Sequence, residues 1–134
     1  MIRFLTISNF RNRIEELLKV KRGVYKNVNS EIIREFNGKS IEEIRNNRDM
    51  ILLTTENIVI KLRLPDKKQR LSKKDGYRLI YLVSKTKDNV VFLDIYPKNG
   101  PSQQLDITEK ELMRLLEIFS EETYSKGLLD FIKP

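Results

Sequence analysis

Apolar and polar residues alternate along the middle of the chain in the way that β-strands require. From Asn57 to Leu64 the even positions carry isoleucine or leucine, whereas the odd positions include Lys61 and Arg63. Successive side chains of a strand point to opposite faces, so this spacing predicts a strand with one apolar and one cationic face. Apolar runs predict three further strands, at residues 50–54, 77–84 and 90–96. Because the links between them are short, an antiparallel meander is the simplest arrangement.

Helix signals precede this meander. Apolar residues at helical spacing predict a helix that Ser8 or Asn9 can cap and that runs to about Lys21. Ser40–Glu43 matches the capping-box pattern, in which a serine or threonine and a glutamate three residues later satisfy the first backbone N–H groups of a helix. The remaining N-terminal predictions are a short strand and two short helices, at residues 4–7, 31–36 and 41–46.

A second capping box, Thr108–Glu111, begins a C-terminal helix. Apolar residues recur along this helix at the spacing expected where a helix packs on a sheet. They are Leu112, Leu115, Leu116 and Phe119. The predicted fold class is therefore α+β, with a small antiparallel sheet of about four strands, N-terminal helices and a C-terminal helix packed on one face.

Length and composition indicate one domain. The chain has 134 residues, of which 40% are hydrophobic, enough to bury one core but not two. We expect the single domain to span residues 1–134. Its tail, residues 124–134, either docks on the domain or orders only on a partner.

The absence of two residue types narrows the chemistry. The chain has no cysteine and no histidine, which excludes disulfides, thiolate metal sites and every histidine-based triad. No apolar run reaches the length of a membrane span, and no secretion signal is recognisable at the N-terminus. We therefore expect a soluble, cytoplasmic protein with no cofactor and no metal ion, whose chemistry uses Lys, Arg, Tyr or carboxylates.

Positive charge is concentrated in one stretch. Residues 61–78 contain eight Lys or Arg and two Asp, whereas the whole chain has a net charge of only +7. Like charges packed this closely repel one another, so a fold does not need them. A polyanionic partner explains them best.

Strand parity gathers part of this charge. Lys61 and Arg63 share one face of their strand, and Tyr96 and Lys98 share one face of the last strand. If helices cover the apolar face, these four side chains converge on the uncovered face, and Arg78 can join them. Asp94 either pairs with Arg78 or has no special role. The loop cations are expected to contact a nucleic-acid backbone without sequence specificity; they are Lys67, Lys68, Arg70, Lys73 and Lys74.

Three short motifs in this region resemble those of a known family. They are Lys61-Leu-Arg63, then Asp75-Gly-Tyr-Arg-Leu-Ile-Tyr81, then Phe92-Leu-Asp-Ile-Tyr-Pro-Lys98. In this combination they resemble the RelE/HigB-type toxins of type II toxin–antitoxin systems. The resemblance covers roughly residues 58–119.

This resemblance implies a RelE/ParE-like fold and an activity. Toxins of this type are endoribonucleases that cleave mRNA, often in the ribosomal A site, and inhibit translation. Their usual partner is an antitoxin protein that covers the site. The resemblance thus implies a metal-independent mRNA interferase whose partners are mRNA, the ribosome and a cognate antitoxin.

The chemistry of RNA cleavage gives the candidate residues roles. Arg78 and Arg63 would stabilise the phosphate, because a guanidinium fork suits its oxygens. Lys61 would be a base or an electrostatic stabiliser, and Tyr96 a proton carrier or a platform for base stacking. Lys98 would hold the RNA backbone or protonate the leaving group. Clustered cations are expected to lower the pKa of a Lys or Tyr in this group.

Two other functions fit the same sequence. A ParE-like toxin of similar fold would inhibit DNA gyrase by binding it, without RNA chemistry. A non-catalytic RNA- or ribosome-binding module would bind in a salt-dependent way without cleavage. Tyr96 and Lys98 beside Lys61 favour the nuclease, because binding alone does not require a tyrosine at that position.

Overall fold

A computed structural model describes residues 1–131 of the chain. Its strands are β1 (Arg3–Thr6), β2 (Met50–Leu53), β3 (Asn57–Leu64), β4 (Tyr77–Ser84), β5 (Asn89–Pro97) and β6 (Leu129–Asp130). Its α-helices are α1 (Ser8–Leu18), α2 (Val28–Phe36), α3 (Ile41–Arg45) and α4 (Glu109–Tyr124), and a short 3₁₀ helix spans Lys21–Gly23. The fold class is α+β, as predicted.

All six strands belong to one mixed sheet. Its order is β2-β3-β4-β5-β1-β6, with β1 parallel to β5 and every other pair antiparallel. The predicted meander forms the contiguous part β2 to β5. The prediction of a four-stranded antiparallel sheet is wrong, because β1 and β6 extend it beyond β5. The period-two pattern located the meander strands but gave no partner for the short N-terminal strand.

The N-terminal helices cover one face of the sheet. Aromatic contacts mark this interface: Phe36 of α2 packs against Tyr81 and Phe92, and Phe10 of α1 packs against Phe92. The Tyr81 hydroxyl donates to the carbonyl of Ile44 in α3 at 2.9 Å. Tyr81 is buried, as expected for a tyrosine that packs a sheet against helices.

Helix α4 lies on the opposite face. Its Leu115 is buried, and Phe119 lines a cavity of about 750 Å³ together with Leu82 and Val91, which point away from α1–α3. The prediction that all helices pack on one face is therefore wrong. Every residue from Tyr77 to Val83 is buried, because helices or connecting segments cover the strand on both sides.

The helix ends test the capping predictions. Ser40 and Thr108 each accept the backbone N–H three residues on, so both predicted capping boxes are confirmed. Helix α1 ends at Leu18 rather than near Lys21, and Ser8 does not cap it. Instead, the Ser8 backbone N–H donates to the Glu122 carboxylate at 2.7 Å, which ties α1 to α4.

The chain end contributes to the sheet. Leu129–Asp130 pairs with β1, and Phe131 packs edge-on against Phe10 and Phe92, so this part of the tail is docked. The predicted docking of Ile132 lies outside the described residues. No helix within residues 1–131 has the length and apolar character needed to cross a membrane.

Candidate functional site

Strand register brings the predicted site residues to one face. In the β3–β4 pair Arg63 lies opposite Arg78, and in the β4–β5 pair Arg78 lies opposite Tyr96. Directly opposed residues share a face, and Lys61 is two positions from Arg63. Lys61, Arg63, Arg78 and Tyr96 therefore lie together at one end of the sheet, on the face that also carries α4.

An aspartate that sequence reasoning missed sits among them. Asp106 lies in the segment that joins β5 to α4, and its Oδ1 accepts a hydrogen bond from Lys61 Nζ at 2.9 Å. The same oxygen accepts from the Tyr96 hydroxyl at 3.2 Å and from the Ile107 N–H at 2.8 Å. One carboxylate thus joins Lys61 and Tyr96, two of the predicted catalytic residues.

The segment that contains Asp106, residues 98–107, is called the covering segment here. Lys98 opens it, and its backbone N–H donates to the carbonyl of Gly76 at 2.8 Å. The Lys98 Nζ turns back to donate to the carbonyl of Leu105. Tyr96 retains only 1% of its accessible surface. The expectation that this face is uncovered is therefore wrong, since the covering segment and α4 both lie on it.

Arg78 lies on the predicted face of the sheet, but it is not accessible there. It is buried, and its guanidinium donates to the carbonyls of Lys73 and Lys74 at 2.9 and 2.7 Å. Burial lowers its pKa, and the adjacent positive charge of Arg63 lowers it further. Arg78 thus fastens the end of the basic loop, and three of its five N–H donors are engaged by backbone carbonyls.

Arg63 is the more accessible guanidinium. It is exposed, whereas Arg78 directly opposite is buried. None of the ion pairs within residues 1–131 involves Arg63. Its donors can therefore reach an external anion.

The predicted loop cations stand on an ordered turn. In this basic loop, residues 66–75, all five of Lys67, Lys68, Arg70, Lys73 and Lys74 are exposed. Its first residue, Asp66, is 1% exposed and accepts from Asn27 Nδ2 at 3.0 Å. Glu31, equally buried, accepts the Lys67 N–H at 2.6 Å. Charge-assisted bonds of this kind fix the near end of the loop, while Arg78 fixes the far end.

Electrostatics favour the protonated form of Tyr96. Burial raises its pKa, and the negative charge of Asp106 raises it further. The expectation that clustered cations would lower the pKa of this tyrosine is wrong, because desolvation and the carboxylate outweigh Arg78. Tyr96 is therefore protonated at neutral pH. Hydrogen bonding from Lys61 lowers the pKa of Asp106, so its carboxylate is ionised there.

Asp94 pairs with a different arginine. It is buried on β5, and its Oδ1 lies 3.3 Å from Nε of Arg13 in α1. The predicted alternatives were a pair with Arg78 or no special role, and neither holds. Burial raises the pKa of Asp94 to about 6, even though Arg13 partly offsets the effect.

This shift predicts a pH-dependent stability. The folded protein binds a proton at Asp94 more tightly than the unfolded chain does, so the contribution of Asp94 falls as pH rises through about 4 to 6. The free energy of unfolding of the parent, relative to Asp94→Asn, should fall by roughly 2 kcal/mol from pH 4 to pH 7. Urea denaturation of both proteins across this range measures the difference. A difference that stays flat or rises with pH would contradict the assignment.

The sequence contains one weak indication that Asp106 lies near Tyr96. It stands two residues before the capping threonine of α4 and so in the link that must run from the end of β5 to that helix. Had α4 been placed on the cationic face, this link would have had to cross Tyr96. The helical stripe alone does not say which face α4 covers.

Neither a metal site nor a comparison with known proteins assigns a function to these residues. Within residues 1–131 no three Asp or Glu side chains come close enough together to hold a metal ion. The chain matches no protein-family model, and comparison with curated proteins and with solved structures gives no match either. The resemblance to RelE/HigB-type toxins therefore stays a prediction from the residues.

Proposed function

We propose that this chain is a metal-independent endoribonuclease that cleaves mRNA and acts as the toxin of a type II toxin–antitoxin pair. The observation that carries the proposal is the grouping of Lys61, Arg63 and Tyr96 on one sheet face beside the exposed basic loop. Cations can stabilise the charge that develops during RNA cleavage, and a protonated phenol can supply the leaving oxygen with a proton.

The reaction assigned to this site is attack of the RNA 2′-oxygen on the adjacent phosphorus. The 2′-hydroxyl proton leaves to water, which the positive charge of Lys61 favours by stabilising the oxyanion. The P–O5′ bond breaks, and Tyr96 donates its proton to the departing 5′-oxygen. The products are a 2′,3′-cyclic phosphate and a 5′-hydroxyl end, so protons and charges balance once Tyr96 is reprotonated from water.

Arg63 is assigned to the charge that develops on the phosphate. It is exposed, and its fork of N–H donors matches two phosphate oxygens. Arg78, buried opposite it, acts as a positioning residue that holds the basic loop. The loop cations then contact the phosphates that flank the cut, which predicts binding that weakens with salt.

Fold and partners belong to the same proposal. An antiparallel meander with helices before it and one helix after it supports a RelE/ParE-like assignment. The ribosome would present the mRNA, and a cognate antitoxin would cover the cationic face. An antitoxin rich in acidic residues suits this face, because its negative charges would complement the positive charges of the face.

Arg63→Ala tests the assigned chemistry in cells. Inducible expression of the parent should arrest growth and produce new transcript ends by primer extension, and Arg63→Ala should reduce cleavage by about a hundredfold. Lys87→Ala is the matched control, because Lys87 is exposed on the β4–β5 hairpin, at the far end of β4 from Arg78. It removes the same charge and should leave cleavage unchanged.

Either of two outcomes would contradict the nuclease proposal and support one of the alternative functions. Growth arrest with DNA damage and intact transcripts would indicate the ParE-like alternative. Salt-dependent RNA binding without growth arrest or cleavage would indicate a binding module.

A further inference from the structure

Leu105 and Asp106 of the covering segment accept hydrogen bonds from side chains of the proposed site. Lys61 Nζ and the Tyr96 hydroxyl both donate to Asp106 Oδ1, at 2.9 and 3.2 Å. Lys98 Nζ donates to the carbonyl of the preceding residue, Leu105. Two adjacent residues of the chain thus accept hydrogen bonds from Lys61 and Tyr96, which the proposed function assigns to RNA, and from the neighbouring Lys98.

The hydrogen bond from Tyr96 to Asp106 competes with a hydrogen bond from Tyr96 to RNA. A phenolic hydroxyl has one hydrogen to donate. In the structure that hydrogen points to Asp106, and the tyrosine is 1% exposed. Tyr96 therefore cannot donate to an RNA oxygen while its hydrogen bond to Asp106 is in place.

The Asp106 carboxylate resembles a phosphate because it is a negatively charged hydrogen-bond acceptor. Its anionic oxygen accepts from an ammonium and from a phenol, which are also suitable donors to a phosphodiester oxygen. Hydrogen bonding from Lys61 lowers its pKa, so the negative charge is present at neutral pH. The site is thus already charge-matched to an anion.

The contacts that Asp106 and Leu105 make with the site are exposed and can break without disrupting the fold. The Asp106 side chain is 62% exposed, and Leu105 is 85% exposed. Water screens an ion pair with this exposure, so it stabilises the fold little. Helix α4 begins after its own capping box at Thr108 and does not depend on the contact. Residues 105 and 106 can therefore leave without unfolding the helix.

We propose that Lys61 and Tyr96 form a phosphate-binding subsite, and that Asp106 fills this subsite in the RNA-free protein and is displaced when an RNA phosphodiester binds. The proposal rests on the proposed function, because it takes the phosphate to be that of the RNA. The covering segment then works as an internal competitor, which lowers activity until RNA is present at sufficient concentration or is held by a larger assembly.

The test uses Asp106→Asn, which removes the charge and keeps the shape. The probe is a short single-stranded RNA with a 2′-deoxy nucleotide at the cleavage site, so that binding is measured without cleavage. By fluorescence anisotropy, Asp106→Asn should bind this RNA about fivefold more tightly than the parent, as expected when an exposed ion-pair competitor is removed.

Glu109→Gln is the matched control. Glu109 is exposed in the first turn of α4, three residues from Asp106, and loses the same charge. A general electrostatic effect would tighten RNA binding equally in both variants, and this would overturn the proposal. In a Lys61→Gln background, the gain from Asp106→Asn should shrink to less than about twofold, because the subsite has lost its cation.

Cleavage assays separate this proposal from the proposed function. If Asp106→Asn abolishes cleavage while RNA binding is unchanged, Asp106 is the general base and the competitor proposal is wrong. If no variant cleaves RNA but Asp106→Asn still tightens binding relative to Glu109→Gln, the nuclease proposal fails and the phosphate subsite stands.

Discussion

Tyr96→Phe is expected to reduce RNA cleavage at least about a hundredfold, the size of effect that loss of a general acid produces. The substitution removes one hydroxyl and leaves the buried ring in place. That hydroxyl donates only to Asp106, which water can solvate instead, so the melting temperature should change little. Cleavage of mRNA by the purified proteins and growth after induced expression measure the effect.

Tyr81→Phe is the control for this prediction. Tyr81 is also a buried tyrosine of the sheet, but its hydroxyl donates to the Ile44 carbonyl on the opposite face. Tyr81→Phe should cost about 1 kcal/mol of stability and leave cleavage intact. If Tyr96→Phe is as active as the parent, or if both variants lose activity equally, Tyr96 is not the proton donor.

Gly76→Ala should have the largest effect on stability. A Cβ atom at Gly76 would lie 2.1 Å from the carbonyl oxygen of Leu64 and 2.7 Å from the carbonyl carbon of Pro65. Both are backbone atoms, so relief requires β3 and β4 to separate where they leave the sheet. We expect a loss of at least about 3 kcal/mol in the free energy of unfolding, measured by urea denaturation.

The same substitution should also reduce activity. Gly76 stands next to Tyr77 at the start of β4, and its carbonyl accepts the Lys98 N–H at 2.8 Å. Moving this backbone displaces Arg78 and the basic loop relative to Arg63. Gly127→Ala is the control, since its added Cβ makes only an ordinary contact at 3.4 Å. A Gly76→Ala protein as stable as Gly127→Ala would show that the close approach is absent.

The meander could be predicted because its strands carry local patterns. The alternation from Asn57 to Leu64 placed Lys61 and Arg63 on one face, and the structure has them there. Residues 77–84 were predicted with the bounds that β4 has. These features depend on neighbouring residues of one strand, which a single sequence specifies.

The cover over the site could not be predicted in the same way. The stripe of α4 shows that the helix packs on something, but both sheet faces offer apolar residues to receive it. One signal was present, because the run from Leu79 to Val83 is apolar at every position, as in strands covered on both faces. Interpreted in that way, it would have placed α4, and with it Asp106, over Tyr96.

The burial of the carboxylates that hold the basic loop could not be predicted from the sequence either. Glu31 and Asp66 are 35 positions apart in sequence, and each is buried with Asn27 between them. Sequence alone places charged residues on the surface by default. Only the folded chain shows that these two carboxylates are inside and hold a cationic loop in position.

The most direct test of the catalytic assignment is the chemistry of the cut ends. Purified protein is incubated with ribosomes programmed with a defined mRNA, and the fragments are mapped and their 3′ ends analysed. The account predicts 2′,3′-cyclic phosphate ends with the parent and no cleavage with a folded Tyr96→Phe protein. Intact mRNA with the parent, or equal cleavage by both proteins, would contradict it.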